Sequence, residues 1–178
     1  MQNKQQQTQL TQPLILLMAF ITGVAVSNLY YIQPIQSLVA QTFHVNTGAI
    51  GTVAMLTQVG YALGLLLIVP FGDVMSRYHL IIRMLILSLL SLLVAFLAPN
   101  FILFALSGLL IGLTSVVPQI IIPYAAVLAA PQKRGAVLGT ILSGLLMGVL
   151  LSRSFSGIIS SYVNWRWVYL LAVIAIAV

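Results

Sequence analysis

Apolar residues run along this chain in long stretches parted by short polar breaks, at about 14–38, 48–71, 80–98, 101–130, 136–161 and 165–178. A helix needs ~20 largely apolar residues to cross a bilayer. The first five runs therefore predict spans 1 to 5. The sixth, WRWVYLLAVIAIAV, is fourteen residues long and too short to cross, so the chain is expected to end inside a membrane helix. Residues 1–12 are polar, six of them glutamine, and predict a short tail ahead of a bundle over 13–178. Ala25-Val26-Ser27 resembles a signal-peptide cleavage site. The tail holds a single lysine, however, and the apolar run continues well past that triplet, so span 1 is read as a retained helix.

The pattern also repeats. Pro34 is followed at four to six residues by Leu38-Val39-Ala40, and Pro123, 89 residues on, by Val127-Leu128-Ala129. The Gly60–Gly64 pair of span 2 has a counterpart 84 residues on in Gly144–Gly148 of span 5. Spans 1–3 thus map onto spans 4–6. An odd number of spans per unit inverts the second unit relative to the first, an arrangement found in transporters. Further Gly-xxx-Gly pairs stand at 108/112 and 135/139. Such spacing gives a flat strip on which helix backbones approach closely. It suits plain helix packing, and equally helices that rock along those strips.

Composition narrows the class. The chain has 178 residues, 61% hydrophobic and 4% charged, with a mean hydropathy of +1.15. Soluble domains carry about 25% charged residues, so a soluble enzyme and a disordered tail are excluded. The net charge of +6 does not indicate nucleic acid, because the basic residues are scattered singly or as one pair, without a basic face. They read as topology signals instead. Lys4, Arg77, Arg83, Lys133 and Arg134 fall on one side and Arg166 alone on the other. The positive-inside rule then puts the amino terminus in the cytoplasm. With no cysteine, no glutamate and histidines only at His44 and His79, both in predicted loops, neither catalysis nor a metal or cofactor site is expected.

Polar side chains within the spans are the candidate chemistry, because lipid offers them no hydrogen bonds. In span 1, Asn28 and Tyr31 share a helix face, and Tyr30 and Gln33 the adjacent one. Span 2 adds Thr57, Gln58 and Tyr61, and span 4 adds Thr114, Ser115 and Gln119. Pro34 interrupts span 1, and Pro118 and Pro123 interrupt span 4. These residues either bond helix to helix or line a solvated cavity. Arg153, in the outer half of span 5, either snorkels to the interface or lines that cavity and attracts an anionic or polar solute. Asp73 is the sole acidic residue, so this chain offers no intramembrane carboxylate for a proton relay.

Several segments carry a resemblance. Val69-Pro70-Phe71-Gly72-Asp73-Val74-Met75-Ser76-Arg77 is similar to the G-x-x-x-D-R-x-G-R-R loop of the major facilitator superfamily, with Asp73 and Arg77 in the aspartate and arginine places. Val69, Val74, Ser76 and Tyr78 depart from that pattern. Asn28-Leu29-Tyr30-Tyr31-Ile32-Gln33-Pro34 resembles the first helix of bacterial arabinose-efflux-like permeases. The stretch from Thr57 to Gly64, Pro131-Gln132-Lys133-Arg134-Gly135 and Asn164-Trp165-Arg166 are similar to other parts of the same group. Gly144 to Gly157 resembles the exporter motif of helix 5, with Val149 in its proline place and Arg153 in that of its final glycine. Phe104 stands where many members have an arginine.

The expected fold is an all-α membrane protein, a major facilitator-type six-helix bundle of two inverted three-helix repeats, truncated in helix 6. The resemblance implies the amino-terminal half of a secondary transporter in a bacterial cytoplasmic membrane. Together with a missing carboxy-terminal six-helix half, it would export a small-molecule substrate by alternating access. Asn28, Tyr31, Gln33, Gln58, Gln119 and Arg153 are the expected substrate-binding residues, Asp73 and Arg77 the gate, and Gly60, Gly64, Gly144 and Gly148 the packing positions. Two alternatives stand beside it: a transport-inactive remnant of an interrupted permease gene, and two copies pairing into a pore.

Overall fold

A computed structural model describes residues 10–177, and every regular element in it is helical. Lys4 and the first nine residues of the expected tail lie outside the described residues. Span 1 is built from α1 (Gln12–Ser27) and α2 (Ile32–Phe43), which meet at a 42° bend. Then follow α3 (Thr47–Leu67), the single turn α4 (Phe71–Val74), α5 (Arg77–Leu97), α6 (Phe101–Thr114) and α7 (Val117–Leu128). A 3-10 turn at Pro131–Lys133 leads into α8 (Arg134–Tyr162), and α9 covers Arg166–Ala177. The stretches Thr47–Val74, Arg77–Leu97, Phe101–Leu128 and Pro131–Tyr162 are long and apolar enough to cross a membrane, as is the bent α1–α2 pair taken as one. The twelve residues of α9 form a shorter apolar helix.

Local chemistry sets the ends. Asn46 caps α3 by accepting the Ala49 N–H at 2.7 Å, and Asn100 caps α6 by accepting that of Leu103 at 2.9 Å. Each satisfies one of the donors left open in a first helical turn. His44 closes α2 in the left-handed region, at φ 53°, while His79 lies in the first turn and a half of α5 rather than in a loop. The helix simply starts earlier than its apolar run, because Arg77, Tyr78 and His79 can extend to the interface without unwinding it. At the other end of span 1, α2 continues to Phe43, past the expected end at residue 38, and buries Val39 and Ala40.

Prolines mark the breaks of two spans, 1 and 4. Pro34 sits in the first turn of α2, where its missing N–H costs least. The Tyr30 carbonyl is taken instead by the Gln33 N–H at 3.2 Å. Pro118 occupies the first turn of α7, after a turn at Ser115–Val116 in which the Ser115 N–H is shared by the Ile111 and Gly112 carbonyls. Pro123 does not interrupt the span; α7 runs through it. Its exposed ring deletes only one ladder bond, a loss a membrane helix tolerates.

Two close crossings hold the bundle together. Span 2 crosses span 4 where Gly60 and Gly64 face the Leu109 and Leu113 carbonyls, and where Gly108 and Gly112 face Val53 and Thr57. Span 1 crosses span 5 where Gly23 meets Gly144 and Gly148, and Gly144 also meets Ala19. The Ser27 hydroxyl reinforces this second seam, lying 2.8 Å from the Gly23 carbonyl and 2.9 Å from that of Gly148. The two crossings correspond under the repeat: Ala19 and Gly23 stand 89 residues before Gly108 and Gly112, and Gly60 and Gly64 stand 84 before Gly144 and Gly148. Gly135 and Gly139, by contrast, meet nothing within 4 Å.

Apolar clusters fill both ends of the bundle. One gathers Ile15, Met18, Leu80, Val117, Ile121 and Ile141, and the other Ile35, Val39, Ile50, Leu92, Phe104 and Trp165. Leu66, Ile102 and Leu150 are each about 70% exposed on the outside. Hydrocarbon solvates such a surface without cost.

Candidate functional site

The breaks in spans 1 and 4 organise the polar side chains. Tyr30 lies in the break between α1 and α2, and Gln119, 89 residues on, lies in the first turn of α7. Each reaches to a neighbouring span. The Arg153 guanidinium of α8 lies over the Tyr30 ring, 5.5 Å from its centroid. The Gln119 amide donates to the Tyr61 hydroxyl of α3 at 3.0 Å. Repeat-equivalent positions thus tie the two units together, span 1 to span 5 and span 4 to span 2. Irregular backbone at membrane depth is tolerated where it is buried in protein or lines a cavity.

The remaining candidates divide into inside and outside. Asn28 and Tyr31 are 4% and 5% exposed: the Asn28 amide donates to the Ser88 hydroxyl at 3.3 Å, and the Tyr31 ring packs against Phe155. Gln33, Gln58 and Arg153 are exposed. Neither glutamine has a side-chain hydrogen bond to another described residue. The structure therefore joins Gln119 to Tyr61 and Arg153 to Tyr30, but does not bring the six expected residues into one pocket. An apolar cleft of about 390 Å³ between α1, α8 and α9, walled by Phe20, Val24, Met147 and Leu151, includes only Tyr31 of the six.

At the end of span 2, Arg77 Nη2 bonds Asp73 Oδ1 at 3.1 Å while its Nε donates to the Gly72 carbonyl, also at 3.1 Å. The Asp73 side chain is 80% exposed. An exposed pair contributes about 0–1 kcal/mol, so the bridge orients the loop more than it stabilises it.

At the opposite end lies a cluster whose joining the sequence does not announce. Arg166 donates to the Phe96 and Ala98 carbonyls at 2.6 and 2.7 Å, and its guanidinium lies over Trp165 and Phe43 at 4.8 and 5.7 Å. Trp165 Nε1 donates to the Thr42 hydroxyl at 2.8 Å. The start of α9 is thereby clasped to the ends of α2 and α5. Only the Asn164-Trp165-Arg166 triplet marks the place in the sequence, without a sign of its partners.

Comparison with known proteins bears on this arrangement. The family model described as Major Facilitator Superfamily matches residues 15–178. The putative transporter YgaY of Escherichia coli (strain K12) is 41% identical over 169 residues, covering 95% of this chain and 43% of that protein. A probable transporter of Streptomyces coelicolor is 30% identical over 91% of this chain and 38% of its own length. A D-xylose transporter of Levilactobacillus brevis is 27% identical over 85% of the chain and 32% of its own. The chain spans less than half the length of these relatives.

Proposed function

Because the chain belongs to the major facilitator superfamily, a family of membrane transporters, we propose that it forms the amino-terminal six-span wall of a secondary transporter. In this reading it exports a small solute by alternating access. A second six-span unit faces the exposed Gln33, Gln58 and Arg153, and the solute passes between the two walls. The observation that carries the reading is the pair of broken spans with a polar bridge at each break, Tyr30–Arg153 and Gln119–Tyr61. A break beside polar side chains offers a solute hydrogen bonds that an unbroken apolar helix withholds. Asp73 and Arg77 act as the gate at the loop between spans 2 and 3, where the exposed carboxylate is available to a helix end of the other unit.

The test uses the complete transporter. A solute is first identified by transport screening in everted membrane vesicles. Arg153→Ala and Gln119→Ala are then expected to lower its initial rate by about tenfold or more, the effect of losing a contact worth ~1.4 kcal/mol in the transition state. Ser161→Ala, on the exposed last turn of α8, should leave it unchanged. Full transport in both variants removes these residues from the pathway.

Orientation is tested separately, with single cysteines placed in this chain, which has none of its own. In the proposed arrangement, in a bacterial cytoplasmic membrane with the amino terminus inside, Gln41→Cys at the end of α2 is labelled by an impermeant maleimide in intact cells. Gln132→Cys, in the 3-10 turn before α8, is labelled only after permeabilisation. The reverse pattern overturns the orientation.

A further inference from the structure

We propose that the bundle holds one buried water molecule beside Asn28, in a small void lined by buried residues of spans 1, 2, 4 and 6. Asn28 is 4% exposed, and although its Nδ2 donates to Ser88, its Oδ1 has no hydrogen-bond partner among the described residues. A buried polar atom without a partner is rare in native proteins, and ordered water is a common remedy. Turning the amide over would only exchange its ends: Ser88 can donate as well as accept, and one amide atom would still be left without a partner.

Asn28 lines a void of about 10 Å³, together with Thr57, Ser107, Tyr169 and the apolar Val53 and Phe104. That volume is at the threshold for one water, ~10–15 Å³, and too small for an organic solute. Its polar wall matches what a water needs. Thr57 and Ser107 spend their protons on the Val53 and Phe104 carbonyls, at 2.9 and 2.6 Å, which leaves their oxygens as acceptors. With the Asn28 oxygen, three spans each contribute an acceptor-bearing residue to the lining, which suits an occupant that donates hydrogen bonds. Tyr169, 4% exposed, contributes the fourth span. The molecule sits where α1 gives way to α2 and supplies the hydrogen bond that the Asn28 side-chain oxygen lacks.

The chain in lipid bilayers is exposed to a synchrotron X-ray pulse, which converts bound water to hydroxyl radical in place, and oxidised side chains are read by mass spectrometry. Phe104 and Tyr169 are expected to be oxidised despite their burial. That oxidation should fall to background in Asn28→Leu, which fills the void and removes the acceptor, and be weakened in Thr57→Val, which keeps the side-chain shape. Background oxidation of both aromatics in the wild-type chain, or undiminished oxidation in both variants, overturns the proposal. So does a thermal stabilisation by sodium over potassium that Asn28→Leu abolishes, since the occupant would then be a cation.

Discussion

Gly112→Val and Gly60→Val are each expected to prevent the bundle from folding stably, lowering its stability by about 3 kcal/mol or more. A Cβ on Gly112 would run into the Thr57 carbonyl, and one on Gly60 into the Leu109 carbonyl. These obstacles are backbone atoms of a facing helix, so no rotamer change relieves them; the two helices must move apart along the whole crossing. Separation forfeits the contacts that drive association in lipid, where helices gain nothing from leaving water and depend on close packing. Gly64 repeats the argument one turn on, 2.5 Å from the Leu113 carbonyl once a Cβ is added. The measurement is the thermal midpoint of the purified chain in detergent, followed by loss of the monodisperse species. Gly139→Ala is the control: its Cβ meets nothing within 4 Å, and the better helix propensity of alanine should raise stability slightly, by up to ~1 kcal/mol. Equal midpoints for Gly112→Val and Gly139→Ala would mean that the span 2–span 4 seam is not where the structure puts it.

The same contrast shows what a sequence can convey about such a protein. The helices were legible because a bilayer demands about 20 apolar residues in a row, and the repeat because offsets of 89 and 84 align its prolines and glycines. Glycine spacing alone did not separate 144/148, seated on Ala19 and Gly23, from 135/139, which meets open space. Both are flat strips on an apolar helix, and only the partner distinguishes them. The polar residues of span 1 were legible in part. Asn28 and Tyr31 are both buried while Tyr30 and Gln33 both face outward, the division their spacing suggests, although the chain turns between residues 28 and 31. Spacing did not say that Tyr30 meets Arg153, or that Asn28 and Tyr31 are packed inside the bundle. Pro34 announced the interruption but not the direction of each side chain after it.

Arg166→Ala is expected to destabilise the chain by about 2–3 kcal/mol, the second largest single effect. The last four carbonyls of a helix lack intrahelical partners, and at the end of α5 two in that region, of Phe96 and Ala98, are satisfied by this one guanidinium at 2.6 and 2.7 Å. Hydrogen bonds to a charged group contribute ~1.5–3 kcal/mol each, and the sum is reduced because Arg166 is partly exposed, so water can replace some of the loss. Arg166→Lys separates charge from geometry. An ammonium keeps the favourable charge at a helix C-terminus, but it lacks the planar fork that reaches two carbonyls while lying on Trp165 and Phe43. It should therefore recover only part of the loss. Trp165→Phe, which keeps an aromatic ring but removes the bond to Thr42, should cost about 1 kcal/mol. Thermal midpoints of the three variants give the order: Arg166→Ala lowest, Arg166→Lys between it and the wild type. If Arg166→Ala matched the wild type, the clasp would be incidental, and Arg166 would stand as an ordinary interfacial cation weighing against the proposed orientation. If the order holds, its position at that end follows from helix-end chemistry, and its charge ceases to count against a cytoplasmic amino terminus.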